Sequence, residues 1–319
     1  MGTENEDEFE NAASQEDELL EMDEEAQRST DQNVEMNIFD AVRGSDGNPV
    51  DPVRLQGKDS FCFSCHKDID CWNECCHGAD ITLTPNCILR LSKHFEQTAA
   101  EFLKEYTVPA MFGMADLPVA KLKMGGKDGK GACPFMSDDG CSVYEDRPAT
   151  CRYYPLGILS VKHKEMAEVN DFHFLVKETH CCGHKESKEQ TVDAYREEQG
   201  LEEFERVNRG WTDLLMKMAS WKGLGGPWGE NIDTRKKQMF FMATTDVQTF
   251  RRFVFETKFL DTYEIDEEAM AILKTDDQAL LLLAFDWLKS IFFNEPTLSM
   301  KELVLQGSIA QYREETGAA

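Results

Sequence analysis

Residues 61–76, FCFSCHKDIDCWNECC, decide the fold of this chain because they concentrate five cysteines in one short stretch. The five are Cys62, Cys65, Cys71, Cys75 and Cys76. A Cys-x-x-Cys pair lets one turn present two thiolates to the same ion. Clustered thiols in a reducing compartment usually bind metal rather than form disulfides. The stretch therefore predicts a metal-binding domain.

Further cysteines follow in two later segments of the chain. The segment CPFMSDDGCSVYEDRPATC supplies Cys133, Cys141 and Cys151, and THCCGH supplies Cys181. A mononuclear zinc site takes four ligands, and an iron–sulfur cluster takes four cysteines. One mononuclear ion therefore cannot use every thiol. Either two centres exist, or thiolates bridge several metals, or some cysteines only pack in the core.

Two other cysteines and four histidines receive a structural interpretation. Cys87 falls on the apolar face of a predicted helix and is expected to be a buried thiol. Cys182 is expected to be redundant with Cys181, because adjacent side chains diverge. Histidines flank the cysteines, and each is expected to be a polar residue with an ordinary partner: His66, His77, His180 and His184.

Two arginines bracket Cys151 in the segment EDRPATCR. Thiolate-rich sites accumulate negative charge, so Arg147 and Arg152 are predicted to compensate it through charge-assisted bonds just outside the ligands. The alternative is a surface ion pair with Glu145 or Asp146.

The local pattern of the cysteine region predicts mixed secondary structure. Thr84-Pro85 is typical of a helix start, and apolar residues recur at helical spacing as far as Tyr106. Residues 131–144 are predicted to form a hairpin whose loop is SDDG. That hairpin would pair Met136 with Cys141 and separate Cys133 from Cys141 by about 10 Å along the ladder. Short strands are also predicted at 81–83, 159–161 and 172–176.

The remainder of the chain is predicted to be helical. Residues 185–231 show a helical pattern that breaks at GLGGP, residues 223–227. Val247, Phe250 and Val254 mark the buried face of a later helix. Thr275 and Gln278 are spaced as a capping box before an apolar helix that begins near Leu280.

Charge is distributed unevenly along the 319 residues, whose formal net charge is −26. Residues 1–50 hold 16 acidic residues against Arg28 and Arg43, a net of −14, and are predicted to be disordered. No basic stripe is present, which argues against nucleic acid as a partner. No apolar leader or membrane-length segment is visible, so no membrane partner and a cytoplasmic location are expected.

The order of these motifs resembles the YkgJ-type cysteine-cluster family, whose members are described as zinc- or iron-chelating domains. The resemblance covers residues 61–183 and implies metal ligation by nine cysteines. The Cys71-x-x-x-Cys75-Cys76 spacing also resembles flagellin lysine N-methylases in part. The nine implicated residues are Cys62, Cys65, Cys71, Cys75, Cys76, Cys133, Cys141, Cys151 and Cys181.

Taken together, the sequence predicts an α+β protein with three regions: an acidic tail at 1–50, a cysteine-cluster metal-binding domain at 51–184, and a helical domain at 185–319. The metal is expected to be iron, as an ion or an iron–sulfur cluster, or zinc. Three functions stay open: a protein that chelates metal to hold its fold, an iron–sulfur enzyme that modifies protein substrates, and a metal carrier.

Overall fold

The computed structural model describes residues 50–162, 169–223, 232–307 and 310. The acidic tail and the glycine-rich segment after Gly223, about which the sequence made predictions, lie outside the described residues. The chain divides into two compact units. One comprises Met1–Asp59 and Pro155–Cys181, and the other comprises Ser60–Tyr154 and Cys182–Ala319. The predicted boundaries at 50 and 184 stay a prediction.

Helices and short antiparallel strands alternate, which confirms the α+β class. The strands are β1 Val50–Leu55, β2 Ser60–Cys62, β3 Thr82–Leu83, β4 Thr107–Phe112, β5 Leu117–Leu122, β6 Met136–Ser137, β7 Gly140–Cys141, β8 Leu156–Lys162, β9 Val169–Val176 and β10 Glu189–Thr191. The helices are α1 Pro85–His94, α2 Ala99–Tyr106, α3 Ala149–Tyr153, α4 Val192–Glu198, α5 Leu201–Gly223, α6 Thr234–Thr245, α7 Val247–Glu256, α8 Phe259–Thr262, α9 Glu267–Thr275 and α10 Asp277–Phe293.

The described residues of the first unit form an antiparallel sheet with the strand order β1-β9-β8. The predicted strands at 159–161 and 172–176 lie within β8 and β9, and the backbone pairs Leu159 with Phe172. The second unit contains three smaller sheets: β10-β2, β3-β5-β4 and the hairpin β6-β7. Every sheet is small, so helices supply most of the second unit's core.

The predicted long helix in the cysteine region is two helices. The start is as predicted: Thr84 caps α1 by accepting a hydrogen bond from the Cys87 N–H, and Pro85 is the first helical residue. The predicted continuation to Tyr106 was wrong. The backbone turns at Glu96, whose φ is 53°. A new helix then begins under a capping box of Thr98 and Glu101, a signal that the apolar periodicity had hidden.

A single hydrophobic core joins the cysteine region of the second unit to its C-terminal helices. Leu89 of α1 and Leu117 and Val119 of β5 pack with buried residues of α5, α6, α7 and α10. Val247, Phe250 and Val254 are buried on α7, as their spacing predicted. The core therefore anchors α1 and the sheet beside it before any metal is considered.

The predicted capping box of Thr275 and Gln278 was wrong. Thr275 is the last residue of α9, and Asp276 is the N-cap of α10. The Asp276 carboxylate accepts hydrogen bonds from the Gln278 and Ala279 N–H groups at 2.8 and 3.1 Å. An aspartate caps at least as well as a threonine, and its charge also favours the helix N-terminus. Because Asp276 is the cap, the carboxylate of the next residue, Asp277, can form ion pairs.

Asp277 ties α10 to two other helices. Its carboxylate lies 2.8 Å from Lys93 Nζ of α1 and also pairs with Arg251 of α7. Burial alone would raise the pKa of Asp277, but the bonds from Lys93 and Arg251 outweigh it and hold the pKa below its usual value. The ion pairs therefore stabilise the fold above the unfolded-state pKa and are lost as the pH falls through the folded-state pKa.

We predict that Asp277→Asn lowers the free energy of unfolding at pH 7 by about 1–2 kcal/mol, because solvent screens the exposed Lys93 and reduces its share. The difference from the unsubstituted protein should shrink as the pH falls from about 4, where the unfolded carboxyl becomes protonated, to the lower pKa of the folded carboxyl. Urea unfolding at both pH values measures this. A difference that stays constant with pH would contradict the ion-pair account.

Candidate metal centre

Five thiols from three segments of the second unit lie close enough together for the charge of one to shift the pKa of another. We call this group the thiol cluster. A hydrogen bond with the Cys75 side chain lowers the pKa of Cys76, whereas burial and three neighbouring thiols oppose that shift. The members of the thiol cluster are Cys75, Cys76, Cys133, Cys141 and Cys151.

Backbone pairing brings the first two segments together. The Cys133 N–H donates to the Cys76 carbonyl at 2.7 Å, and the Gly78 N–H donates to the Gly131 carbonyl at 3.0 Å. Between them, His77 and Ala132 form an antiparallel bridge. These contacts hold Cys76 beside Cys133, although 56 residues separate them in sequence (133 − 76 − 1).

Side chains of the first segment also hold the tip of the β6-β7 hairpin. Asn73 Nδ2 donates to the Ser137 carbonyl at 2.8 Å, and Trp72 Nε1 donates to the Asp138 carbonyl at 3.3 Å. Lys67 pairs with Asp139. The hairpin is thereby fixed with Cys141, at the end of β7, facing the same neighbourhood as Cys75 and Cys76.

The hairpin is shorter and less regular than predicted. Met136 pairs with Cys141 as predicted, but the ladder has only one further pair, Ser137 with Gly140. The Met136 N–H donates to the Cys133 carbonyl at 3.1 Å, so the chain turns before Cys133 can enter the ladder. Cys133 is therefore not displaced along a strand from Cys141. Cys133 and Cys141 instead lie close enough for the charge of one to shift the pKa of the other.

Backbone N–H groups point at two of these sulfur atoms in the same way. The Phe135 N–H donates to Cys133 Sγ at 3.5 Å, and the Val143 N–H bonds the Cys141 thiol. Each donor lies two residues after its cysteine. Burial raises the pKa of both thiols, and these N–H groups partly offset it. Such donors stabilise sulfur in the thiolate form that binds metal.

Cys151 is the thiol of the cluster whose ionisation is most strongly disfavoured without a cation. It lies on the short helix α3, and burial together with the nearby Cys133 raises its pKa to about 12. Arg147 opposes that rise. A thiol in such surroundings is neutral at pH 7 unless a strong positive charge favours the thiolate, which a bound metal ion does.

Arg147 and Arg152 lie where they lower the pKa of Cys141. Arg152 is buried, donates to the Glu145 carbonyl at 2.7 Å, and stacks 4.6 Å from the Phe204 ring. Arg147 stacks 4.4 Å from the Tyr144 ring. Asp146, which the sequence offered as an alternative partner, pairs instead with Arg90 at 2.8 Å.

Cys87 is fully buried, which confirms the structural interpretation of that residue. Its Sγ accepts a hydrogen bond from the Ala149 N–H at 3.1 Å. Ala149 is the first residue of α3, so Cys87 helps to position the helix that carries Cys151.

The other predicted ligands lie outside the thiol cluster. Cys62 is on the exposed face of β2, opposite the buried Phe61 and Phe63, and Cys65 is also exposed. Cys71 is half-buried, and its Sγ accepts a hydrogen bond from the Cys182 N–H at 3.0 Å. Sequence reasoning set Cys182 aside because an adjacent pair such as Cys181-Cys182 carries no signal of which thiol faces inward.

Cys181 belongs to the other compact unit, where its N–H donates to the Glu178 carbonyl at 3.0 Å. Three of the four histidines near the cysteines have polar partners, as expected. His66 lies 3.4 Å from Glu186, and His180 lies 3.3 Å from Glu178. His77 Nδ1 lies 3.2 Å from the Asn73 carbonyl, and the His184 ring packs 5.3 Å from Phe63.

The donor chemistry of the thiol cluster fits a thiolate-binding metal. Among the residues the structure describes, no three His, Cys, Asp or Glu side chains converge closely enough to hold an ion together. The thiols are electrostatic neighbours nonetheless, and a change of rotamer moves a sulfur atom by about 3 Å. The segments that carry the thiols are held by backbone hydrogen bonds, so convergence requires side-chain rotation rather than refolding.

Comparison with known families confirms the resemblance seen in the sequence. Residues 64–183, a little over a third of the chain, match the CxxCxxCC family, described as "Putative zinc- or iron-chelating domain". The matched range contains the whole thiol cluster together with Cys65, Cys71 and Cys181, and it begins after Cys62. Neither the curated proteins nor the solved structures yielded a match. Among the described residues, no helix combines the length and the apolar character needed to cross a membrane.

We predict that Gly140→Ala disrupts the thiol cluster through the hairpin. Gly140 has φ +109°, and an added Cβ would lie 2.8 Å from Trp72 Cζ2. The combined strain should cost about 1–3 kcal/mol and loosen the bonds between the hairpin tip and residues 72–73. Thermal unfolding and the metal content of the purified protein measure the two effects.

Gly129→Ala is the matched control. Gly129 also has a positive φ, +70°, but an added Cβ would meet nothing within 4 Å. It should cost only the local backbone strain of about 1 kcal/mol and leave the metal content unchanged. Equal loss of metal in the two variants would show that docking on Trp72 does not matter.

Proposed function

Starting from the match of residues 64–183 to a zinc- or iron-chelating family, we propose that the thiol cluster is the metal centre and that metal chelation is the function of this region. The observation that carries the proposal is that five thiols from three separate segments lie close enough to shift one another's pKa. Buried thiols without a cation add no stabilising charge interaction. A metal ion converts the same residues into a cross-link between the segments.

Burial favours neutral thiols in the cluster, but hydrogen-bond donors and arginines around it act in the opposite direction. Cys133 and Cys141 receive backbone N–H donors, and Arg147 and Arg152 lower the pKa of Cys141. In a chain of formal net charge −26, these local donors and cations oppose the charge that several thiolates would accumulate. Burial of Arg152 against Phe204 keeps its guanidinium in place.

The number of thiols bears on the metal. Five thiols are one more than a mononuclear tetrahedral site uses. Zinc, a mononuclear iron and an iron–sulfur cluster each take four cysteines, so each would leave one member of the thiol cluster unligated. Soft thiolates suit all of these. We propose iron as the metal of the oxygen-free protein, with zinc replacing it when the protein is prepared in air.

Cys75 gives the centre an opening to solvent. It is exposed, whereas the other four members of the cluster are half-buried. An ion would therefore meet Cys75 first, and the hydrogen-bonded neighbour Cys76 next. The five thiols provide more than a full coordination set for one centre. A ligand role stays a prediction for Cys62, Cys65, Cys71 and Cys181.

We predict that Cys76→Ser and Cys151→Ser each lose most of the bound metal, because a serine hydroxyl is a poor substitute for a thiolate at pH 7. Metal analysis after gel filtration measures this. Cys87→Ser is the matched control: the buried Cys87 is hydrogen bonded to Thr84 and Ala149 and is not one of the five thiols of the cluster. Equal metal loss in all three variants would contradict the assignment of the cluster.

We predict that protein purified without oxygen contains iron and absorbs visible light, and that protein purified in air contains zinc. Iron, zinc and acid-labile sulfide are counted per chain in both preparations. A colourless oxygen-free protein with stoichiometric zinc and no sulfide would reject iron while leaving chelation by the cluster intact.

A further inference from the structure

Cys71 and Cys182 form a pair of thiols distinct from the thiol cluster. The Cys182 N–H donates to Cys71 Sγ at 3.0 Å. The Cys182 thiol also forms a side-chain hydrogen bond with Cys71. All eleven cysteines of the chain lie in its described part, and none of them is in a disulfide.

The backbone around the pair is held on both sides. The Ser64 N–H donates to the Gly183 carbonyl at 3.2 Å, and the Phe63 N–H donates to the Lys188 carbonyl at 3.0 Å. A Cβ added at Gly183 would lie 2.7 Å from the Phe63 ring, so the chain approaches closely only because residue 183 is glycine. Strands β2 and β10 continue this pairing, with Cys62 opposite Glu189.

The distance between the two cysteines suits a disulfide. Cys71 Sγ lies 3.0 Å from the Cys182 nitrogen. Because an N–Cα bond is about 1.46 Å long, this sulfur lies at most about 4.5 Å from Cys182 Cα. In a disulfide the S–S bond is about 2.05 Å long and the two Cβ atoms lie about 3.5–4.5 Å apart, so each sulfur lies within about 4.5 Å of its partner's Cα. The upper bound for Cys71 and Cys182 agrees with this range, and we expect rotation of the side chains to bring the two sulfur atoms together.

We propose that Cys71 and Cys182 are a redox-modification site that closes to a disulfide on reaction with a low-molecular-weight disulfide such as oxidised glutathione. This site goes beyond the proposed chelating function, and it uses no sulfur atom of the thiol cluster. A thiolate attacks a disulfide, and the Cys182 N–H that donates to Cys71 Sγ holds this sulfur beside its partner residue.

The reaction balances in two exchange steps. The Cys71 thiolate attacks one sulfur of the reagent, a mixed disulfide forms, and the first glutathione leaves as a thiolate. The Cys182 thiolate then attacks the Cys71 sulfur, the protein disulfide forms, and the second glutathione leaves. The two cysteines lose two electrons, the reagent gains them, and the protons of the two thiols end on the departing glutathione.

A disulfide at this position would link two segments that hydrogen bonds already join. Residues 71 and 182 close a loop that contains every segment of the thiol cluster. The bond would therefore restrain the ends of the metal-binding region without consuming a cluster thiol. Reduction would restore the dithiol, so the site is reversible.

The experiment uses the full chain with its metal bound. The protein is incubated with oxidised glutathione, its remaining thiols are blocked with N-ethylmaleimide, and it is digested with chymotrypsin. Cleavage after Trp72 separates Cys71 from Cys75, so tandem mass spectrometry can assign the cross-link. We expect one cross-linked pair, Cys71 with Cys182, that dithiothreitol reverses and that leaves the metal content unchanged.

Cys182→Ser and Cys181→Ser form the matched pair of variants, because the two residues are adjacent. Cys182→Ser should abolish the cross-link and leave Cys71 as a mixed disulfide with glutathione, whereas Cys181→Ser should retain the cross-link. A cross-link from Cys71 to Cys181, or no cross-link in the unsubstituted protein, would overturn the proposal. So would loss of metal in Cys71→Ser, which would make Cys71 a ligand.

Failure of the chelating function is separately visible. If the protein binds no metal but forms the Cys71–Cys182 disulfide, the redox proposal is supported and the proposed metal centre is rejected. If metal is bound through the thiol cluster and no disulfide forms, the redox site falls and the metal centre stands.

Discussion

The site depends on the backbone pairing of residues 76–78 with residues 131–133. One hydrogen bond of 2.7 Å, from the Cys133 N–H to the Cys76 carbonyl, brings two cysteines side by side that are far apart in sequence. Three residues on each chain segment take part, and Trp72 and Asn73 extend the contact to the hairpin tip. Without this pairing, Cys75 and Cys76 would have no fixed relation to Cys133 and Cys141.

The remaining structure holds that pairing in place. Leu89, Leu117 and Val119 attach the cysteine region to the core of the C-terminal helices, and Asp277 ties α10 to α1 and α7. Cys87 connects α1 to the start of α3, which carries Cys151. The scaffold around the thiols is therefore built from apolar burial and hydrogen bonds. A metal would add a cross-link to segments already near one another, which limits the entropy that binding has to overcome.

Charge is the second constraint on the site. Burial raises the pKa of Cys133, Cys141 and Cys151, which favours neutral thiols. Backbone N–H groups and Arg147 act in the opposite direction. A cation among these sulfur atoms would shift the balance to thiolates. Cys71 and Cys182 form a separate pair, so metal held by the five thiols of the cluster and oxidation of this pair would use different sulfur atoms.

The sequence by itself determined the clustered cysteines, the match of residues 64–183 to a zinc- or iron-chelating family, the α+β class, the start of α1 at Thr84-Pro85 and the burial of Cys87. These follow from residue type and short-range spacing, which local physics governs. It did not determine the break at Glu96, the cap at Asp276 or the short hairpin ladder, because competing local signals differ by little energy. Only the tertiary structure decided which thiols lie close to one another. Cys182 contacts Cys71, while Cys62 lies on an exposed strand face, because side-chain direction depends on pairings between segments distant in sequence.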